Sequence, residues 1–136
     1  MLDTSDSSAT LGFEAWIDNH KFFDTDHVQE RQRIFGEISD GNAAHELRFV
    51  MKSKTSDHTK VDSNGNITAD ARLIVTDLSF DEILLGHMVT EQAVYVHDFN
   101  GTSTTTQDKF YHELGCNGTV TLKFDTPVYL WLLEHM

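Results

Sequence analysis

Apolar and polar residues alternate along much of the chain, which is the two-residue period of a β-strand with one buried face. The alternation is clearest at residues 119–125, where Val120, Leu122 and Phe124 are separated by threonine and lysine. The same alternation predicts further strands at residues 11–17, 34–38, 47–52, 71–76 and 93–97. No segment shows the sustained 3.6-residue stripe of an amphipathic helix.

Turn signals separate the predicted strands. Asn64-Gly65 lies in the segment VDSNGNIT, and Asn-Gly is the strongest short signal for a hairpin because both residues tolerate positive φ angles. Asn117-Gly118 predicts a second tight turn. We expect residues 47–52 and 71–76 to be neighbours across a long hairpin-like connection. The polar segment Asp24–Arg33 fits one or two helical turns and a loop equally well.

The longest apolar stretch is VYLWLL at residues 128–133. Pro127, the only proline, precedes it, and a proline interrupts a strand ladder because it has no N–H group. The stretch has the length of a strand and little polar relief. It therefore predicts a strand that lies in the core or against another subunit.

About eight short strands separated by turns predict an all-β fold, namely an antiparallel β-sandwich of the jelly-roll type. The chain of 136 residues has the size of one domain and can bury a substantial core. Residues 1–10 (MLDTSDSSAT) are polar and acidic. We therefore expect a disordered or flexible tail over residues 1–10 and a single β-sandwich domain over residues 11–136.

The chain carries a net charge of −12, from 22 acidic and 10 basic residues. Such a surface repels phosphate backbones and anionic lipids, so neither nucleic acid nor a membrane is an expected partner. The charge favours solubility, with adaptation to salty surroundings or repulsion between copies before assembly as alternatives. The N-terminus has no basic start, and no apolar run approaches the length of a membrane span. We expect neither a secretion signal nor a transmembrane segment.

One pattern resembles a calcium site. Asp62, Asn64 and Asn66 have the one–three–five spacing of oxygen ligands in an EF-hand loop. The sixth position holds Ile67 instead of glycine, and the twelfth holds Leu73 instead of glutamate. A hairpin turn is therefore the favoured interpretation, and the three residues are a weak calcium candidate. The eight histidines include no HxH pair, so no transition-metal site is predicted.

The sequence contains no recognised catalytic motif. GxSxG, HExxH, GxGxxG and P-loop patterns do not occur. The single cysteine, Cys116, has no second cysteine for a disulfide or a zinc pair. Its favoured role is that of a small buried or half-buried apolar residue. We therefore predict no catalytic residue and no cofactor.

Three aromatic residues are candidates for ligand binding. Trp16 is out of phase with the apolar residues of its strand, Tyr95 lies in a strand rich in valine, and Tyr111 flanks the polar loop at residues 100–107. Flat aromatic rings stack on sugars, and acidic side chains accept hydrogen bonds from sugar hydroxyls. The alternative, which the pattern favours, is that these rings fill a small sandwich whose two faces are both covered.

The segments HTKVDSNGNI, LSFDEILLGH, YVHDFNGT and FYHELGCNGTVTLKFDTPVYLWLLEHM resemble small uncharacterised proteins encoded by marine tailed phages, including those of cyanobacteria. The resemblance covers roughly residues 46–136. It implies a β-sandwich like that of carbohydrate-binding modules, and it supplies no catalytic residues. A viral protein of this kind would lie in the host cytoplasm or in the virion.

The leading functional hypothesis is non-enzymatic. It describes a phage-encoded accessory or virion-associated β-sandwich protein that acts in self-association or in glycan contact. The first alternative is a stand-alone carbohydrate-binding module. The second is a small metal-dependent jelly-roll enzyme that uses scattered histidine and aspartate residues. The expected partners are further copies of the chain and glycans.

Overall fold

In a computed structural model of the chain, the described residues are 1–38, 41, 43–54, 59–61, 63–65, 67–80, 83–97 and 105–135. They form short strands and two short helices. The strands are β1 (Leu2–Thr4), β2 (Gly12–Ile17), β3 (His20–Thr25), β4 (Ala43–Lys52), β5 (Thr59–Val61), β6 (Ile67–Asp70), β7 (Leu73–Val75), β8 (Ser79–Phe80), β9 (Ile83–Leu84), β10 (Val94–His97), β11 (Thr106–Lys109), β12 (Glu113–Leu114) and β13 (Gly118–Thr126). The helices are α1 (Met88–Gln92) and α2 (Val128–His135).

The described strands pair antiparallel in two main sheets and two small hairpins. The larger sheet has six strands in the order β11-β10-β13-β4-β2-β3, and the smaller has three in the order β1-β7-β12. The pairs β5-β6 and β8-β9 form the hairpins. The longest pairing joins β13 to β4, from Gly118 opposite Met51 to Thr126 opposite Ala43. The all-β class and the antiparallel arrangement are thus confirmed, and jelly-roll connectivity stays a prediction.

One hydrophobic core joins the two sheets. Because side chains alternate across a strand, β13 buries Val120, Leu122 and Phe124 and exposes Lys123 and Asp125. The layer that covers this face contributes Leu2, Leu73, Val75, Phe80, Leu85, Met88, Val89, Leu114, Trp131 and Leu132. The fold is therefore sandwich-like, with a wide sheet on one side and a small sheet, short segments and helices on the other.

Alternation predicted β2, β7, β10 and β13 close to their observed bounds, and it predicted only the second part of β4, which begins at Ala43 rather than at residue 47. The hairpin predicted at Asn64-Gly65 is also present, because β5 pairs with β6 on either side of it and Gly65 has a φ of 83°. The strand count differs from the expected eight, since several pairings are only two to four residues long and carry no visible alternation.

The C-terminal stretch forms a helix, so the strand predicted at residues 128–133 is wrong. Pro127 ends β13 as expected, and the chain then turns into α2. Helical spacing buries Val128, Trp131 and Leu132 and leaves Tyr129 exposed. The stretch therefore meets the core along one side only.

The first ten residues belong to the fold, contrary to the expected tail. Leu2 pairs with Val75 and is 1% exposed. Its amide and carbonyl groups exchange hydrogen bonds of 2.8 Å with Gln32. Ala9 is also buried, so the domain begins at β1 rather than at residue 11.

Three local predictions also differ from the structure. Residues 47–52 and 71–76 are not neighbours, because β4 lies between β13 and β2 while β7 lies in the smaller sheet. Residues 34–38 form no strand and pack Ile34 and Ile38 on the core from an irregular segment. The segment Asp24–Arg33 is not helical, since β3 extends to Thr25 and a loop follows.

Candidate functional site

An apolar cavity of about 550 Å³ lies between the six-stranded sheet and the segments that cover its buried face. The floor of this interlayer cavity is formed by side chains of β2, β3 and β4, namely Phe13, Ile17, Phe22, Leu47 and Phe49. The walls come from the covering layer and include Leu2, Ile34, Ile38, Val75, Leu78, Phe80 and Val128. The cavity is therefore open space between two layers that are otherwise packed together.

The polar side chains of the interlayer cavity come from the irregular segment at residues 34–38, from β8 and from the junction of β13 with α2, and this part of the lining is called its polar end. Among the described lining residues, the polar side chains are Glu37, Ser79, Thr126 and Tyr129. Glu37, Ser79 and Tyr129 are exposed, whereas Thr126 is 7% exposed. Three of the four side chains carry a hydroxyl group, so the polar end of the cavity is suited to neutral hydrogen-bonding groups.

Gly36 explains how an irregular segment can form one wall. A Cβ atom at Gly36 would lie 2.9 Å from Cε2 of Phe22, which is too close for a side chain. The missing side chain lets residues 34–38 approach β3. Ile34 and Ile38 then pack against the core, while Phe35 remains 75% exposed.

A second cavity of about 570 Å³ lies beside α2, and its lining includes several charged and polar side chains. It is lined by Asp18, Ala44, His45, Glu46, Gln92, Lys123, Phe124, Asp125, Trp131 and His135. Across the described ranges of the chain, no three histidine, cysteine or acidic side chains are placed to hold a metal ion. The metal-dependent enzyme stays a prediction.

His45 connects the two cavities. Its Nδ1 atom lies 2.8 Å from Oδ2 of Asp18, and its Nε2 atom lies 3.2 Å from Oγ1 of Thr126. The imidazole ring is stacked on Phe124, with ring centroids 5.4 Å apart and an interplanar angle of 26°. Thr126 lines the interlayer cavity and His45 lines the second one, so a hydroxyl–imidazole–carboxylate chain crosses from one to the other.

Asp18 is fixed at the turn between β2 and β3. Its Oδ1 atom accepts a hydrogen bond of 3.0 Å from the Glu46 amide, and its carbonyl oxygen accepts one of 2.5 Å from Nη2 of Arg48. The hydrogen bond with His45, followed by that from the Glu46 amide, holds the pKa of the Asp18 carboxyl below its usual value. The carboxylate is therefore ionised at neutral pH and can accept a hydrogen bond from an imidazole N–H group.

Trp16, the first predicted ligand residue, is half-buried on the outer face of the larger sheet. Its Nε1 atom donates to Oε1 of Glu14 at 3.0 Å. Nζ of Lys21 and Cζ of Arg48 lie 5.6 Å and 5.4 Å from the ring centroid. Cations at this distance are attracted by the ring face, so a sugar would have to displace them or use another part of the ring.

Tyr95, the second predicted ligand residue, lies in the core and is 7% exposed. Its hydroxyl donates to the Cys116 carbonyl oxygen and accepts a hydrogen bond of 3.0 Å from the Cys116 amide. Burial raises the pKa of Tyr95 to about 12. The ring does not present a free face for stacking, which corrects the expectation that Tyr95 contacts a ligand.

The third candidate, Tyr111, is 67% exposed and precedes β12 of the smaller sheet. Strand pairing places Trp16, Arg48 and Val94 in one row across the larger sheet. Tyr95 is the residue after Val94, so Trp16 and Tyr95 cannot face the same ligand. Adjacent strand residues point to opposite faces. Trp16 and Tyr95 are therefore not parts of one site, and ligand binding by Trp16 or Tyr111 stays a prediction.

The calcium candidate is only partly described. Asn64 lies in the turn of the β5-β6 hairpin. Asp62 and Asn66 lie outside the described residues. The weak calcium site stays a prediction.

The hydrogen-bonded group of Asp18, His45 and Thr126 was not predicted from the sequence. These residues are separated by 27 and 81 positions, and they meet only because β4 pairs with β13 and the β2-β3 turn lies beside the start of β4. No motif with fixed spacing marks them. Asp18 carried a turn signal, and Thr126 carried none beyond its position before the only proline.

No protein-family model, curated protein or solved structure matches the chain. Within the described ranges, no helix has both the length and the apolar character needed to cross a membrane. Function is therefore inferred from the two cavities and the side chains that line them.

Proposed function

We propose that the protein binds a small neutral amphiphile in the interlayer cavity. The observation that carries this proposal is a cavity of about 550 Å³ that is lined mostly by apolar side chains and includes three hydroxyl groups in its lining. Ligand pockets commonly have volumes of about 300–1,000 Å³, mainly apolar walls and a few placed polar groups. The interlayer cavity has all three properties.

The lining favours a neutral ligand over an anionic one. Glu37 is a charged side chain at the mouth, and Ser79, Thr126 and Tyr129 offer hydroxyl groups that both donate and accept hydrogen bonds. Met1 also lines the cavity, and its amino group donates to the Thr76 carbonyl oxygen at 2.9 Å; burial lowers the pKa of this amino group, which disfavours its charged form. An alcohol or ester group suits this end, whereas a carboxylate would meet Glu37 and the net charge of −12.

Binding can be tested with N-phenyl-1-naphthylamine, a neutral probe that fluoresces in apolar surroundings. We expect saturable binding with a dissociation constant in roughly the micromolar range. Methyl octanoate and octan-1-ol should displace the probe more effectively than octanoate. Equal displacement by octanoate would contradict the neutral ligand class, and an absence of saturable fluorescence would contradict the binding proposal.

A matched pair of variants links the signal to the cavity. Leu78→Trp fills the cavity from a half-buried wall position and should weaken probe binding at least about tenfold, which corresponds to about 1.4 kcal/mol. Ile74→Trp is the control, because Ile74 is also half-buried but lies on β7 between two buried residues, facing away from them. Thermal unfolding of both variants checks that they remain folded. Wild-type affinity in Leu78→Trp would show that the probe binds elsewhere.

Self-association is a second candidate function, supported by the outward side of α2. Tyr129, Leu130 and Leu133 are 60%, 47% and 66% exposed, and they are neighbours on one helix. Large apolar side chains that cluster on a surface are typical of protein contacts. The proposed occupant is a second copy of this chain, in line with the predicted homo-oligomer.

The remaining functional hypotheses stay predictions. The phage-encoded accessory or virion-associated role and the stand-alone carbohydrate-binding module gain support only from the sandwich-like fold. Glycan contact is supported by the exposure of Tyr111 and by the half-buried ring of Trp16. Trp16 or Tyr111 would contact a glycan alone or together with an aromatic ring other than these two.

A further inference from the structure

We propose that Thr126, His45 and Asp18 form a nucleophile–base–carboxylate relay that hydrolyses a carboxylic ester held in the interlayer cavity. The proposal rests on the ligand binding proposed above and adds a reaction to it. It departs from the non-enzymatic hypothesis that the sequence favours. Three observations carry it: the geometry of the relay, the position of Thr126 in the cavity wall, and the helix that begins directly after it.

The hydrogen bonds of His45 select the required tautomer. An ionised carboxylate only accepts hydrogen bonds, so the contact of 2.8 Å between Nδ1 of His45 and Asp18 requires a proton on Nδ1. In the neutral ring Nε2 then carries the lone pair. It can accept the hydroxyl proton of Thr126 across 3.2 Å. The Ala43 carbonyl oxygen, 3.3 Å away, is the competing acceptor.

Thr126 stands where a substrate would meet the relay. It is the last residue of β13 and lines the interlayer cavity. Thr126 therefore both lines the cavity and contacts His45 through its hydroxyl. An ester whose apolar part occupies the cavity would have its carbonyl carbon near the polar end, where Thr126 lies.

The start of α2 offers stabilisation for developing negative charge. The first turn of a helix has N–H groups without a partner inside the helix, and the dipole is positive at this end. The first bonds within α2 run from Leu130 and Trp131 to the Pro127 carbonyl oxygen. The preceding amides, those of Val128 and Tyr129, belong to residues that line the cavity. They are the candidate donors to an oxyanion.

The reaction consumes one ester and one water. Oγ1 of Thr126 attacks the ester carbonyl carbon while its proton passes to Nε2 of His45. The tetrahedral intermediate collapses, the bond to the alcohol oxygen breaks, and the alcohol leaves with the proton from His45. Water then attacks the acyl-threonine and gives a proton to His45, which returns it to Thr126 as the acid leaves.

Asp18 is a positioning residue in this scheme. It orients the imidazole and stabilises the imidazolium, and it is itself held by the Glu46 amide and by Arg48. The ring of His45 is further restrained by Phe124. The competing explanation is that the three residues only tie strand ends together, and the experiment is designed to separate the two.

The test measures hydrolysis of p-nitrophenyl acetate, butyrate and octanoate by the full chain. The variants are Thr126→Ala, Thr126→Ser, His45→Gln and Asp18→Asn. Thr121→Ala is the control, because Thr121 lies on the same strand but on its other face. Binding of N-phenyl-1-naphthylamine and thermal unfolding are measured for each variant, so that loss of the fold and loss of the cavity are seen separately from loss of catalysis.

We expect the wild-type protein to prefer the longer acyl chains. Thr126→Ala and His45→Gln should lower kcat/KM by about 100-fold or more, a much larger effect than any change in probe binding. Thr126→Ser keeps the hydroxyl and should retain hydrolysis. Asp18→Asn should lower kcat by about tenfold or more with KM unchanged. A phosphonate ester should label Thr126, as mapped by peptide mass spectrometry.

Several results would overturn the proposal. Wild-type rates equal to those of Thr126→Ala, or no hydrolysis above buffer with any of the three esters, would show that the relay is structural. If probe binding persists in that case, the binding proposal survives alone. If probe binding is absent from the wild-type protein, the proposed function fails first.

Discussion

Replacing Tyr95 with Phe removes one hydroxyl group that satisfies both backbone groups of Cys116. The ring stays, so the apolar packing against Phe110 is unchanged. The change leaves the Cys116 amide and carbonyl without this partner. Because Cys116 is half-buried, water can replace part of the loss. We expect the free energy of unfolding at pH 8 to fall by about 1–2 kcal/mol, and the Tm by about 3–8 °C.

The stability that Tyr95→Phe loses relative to the wild-type protein should become smaller at high pH. Burial raises the pKa of Tyr95 to about 12 in the folded protein, against about 10 in the unfolded chain. A raised folded pKa means that the stabilisation is complete below pH 10 and is lost as the pH rises toward 12. At pH 11 the wild-type protein should lose up to about 1.4 kcal/mol relative to Tyr95→Phe, and less where water screens the hydroxyl.

Urea unfolding of both proteins at pH 8 and pH 11 measures this difference directly. The other groups that titrate between pH 8 and pH 11 are present in both proteins, so their effects cancel in the comparison. The stability gap between wild type and Tyr95→Phe should narrow or vanish at pH 11. A gap of the same size at both pH values would refute the reasoning, because it would mean that the hydroxyl is not buried. Tyr95 would then become a candidate ligand residue again.

Two further predictions concern the surface. Trp16→Ala and Tyr111→Ala should each reduce any wild-type signal on a glycan array. Phe35→Ala is the control, because the Phe35 ring is 75% exposed. An absence of wild-type signal at high concentration would contradict glycan contact. Leu133→Glu should shift the protein toward a monomer in light scattering at micromolar concentration, because it places a charge among exposed apolar side chains of α2. Lys123→Glu, on the exposed face of β13, is the control, and a wild-type monomer would contradict self-association through α2.

The strands that sequence predicted are those that bury one face in the larger sheet. In β13 every second residue from Val120 to Phe124 is buried, and the pattern of the sequence reports this directly. β3 was missed although it pairs with β2 along its length. Its residues HKFFDT do not alternate, because Phe22 and Phe23 are adjacent and both half-buried. Alternation identifies a strand only when its two faces differ.

The C-terminal helix shows a different limit. Val128, Trp131, Leu132 and His135 have the spacing of one helical face, but Tyr129, Leu130 and Leu133 between them are also apolar. An apolar run of this length does not reveal its period. In the helix, the ring of Trp131 lies 6.1 Å from that of Phe80 and 6.3 Å from that of Phe124, contacts that the sequence pattern does not report.

The functional residues were hidden for a topological reason. His45 and Thr126 are adjacent because β4 and β13 pair from one end to the other, and neither residue stands in a motif. The interlayer cavity is hidden in the same way, since its lining comes from the N-terminal strand, six later strands, the irregular segment at residues 34–38 and the start of α2. A cavity is a property of how elements fit together, and local composition does not encode it.

The acidity of the chain gives the two proposals a common physical consequence. A net charge of −12 repels anions, and Glu37 places one negative charge at the cavity mouth. A neutral ester enters without this penalty and gains from contact with the apolar floor. Hydrolysis converts it into a carboxylate, which is repelled by Glu37 at the cavity mouth and by the net negative charge of the protein. In the sequence, the net charge indicated only solubility. In the proposed reaction it would also favour release of the carboxylate product from the cavity.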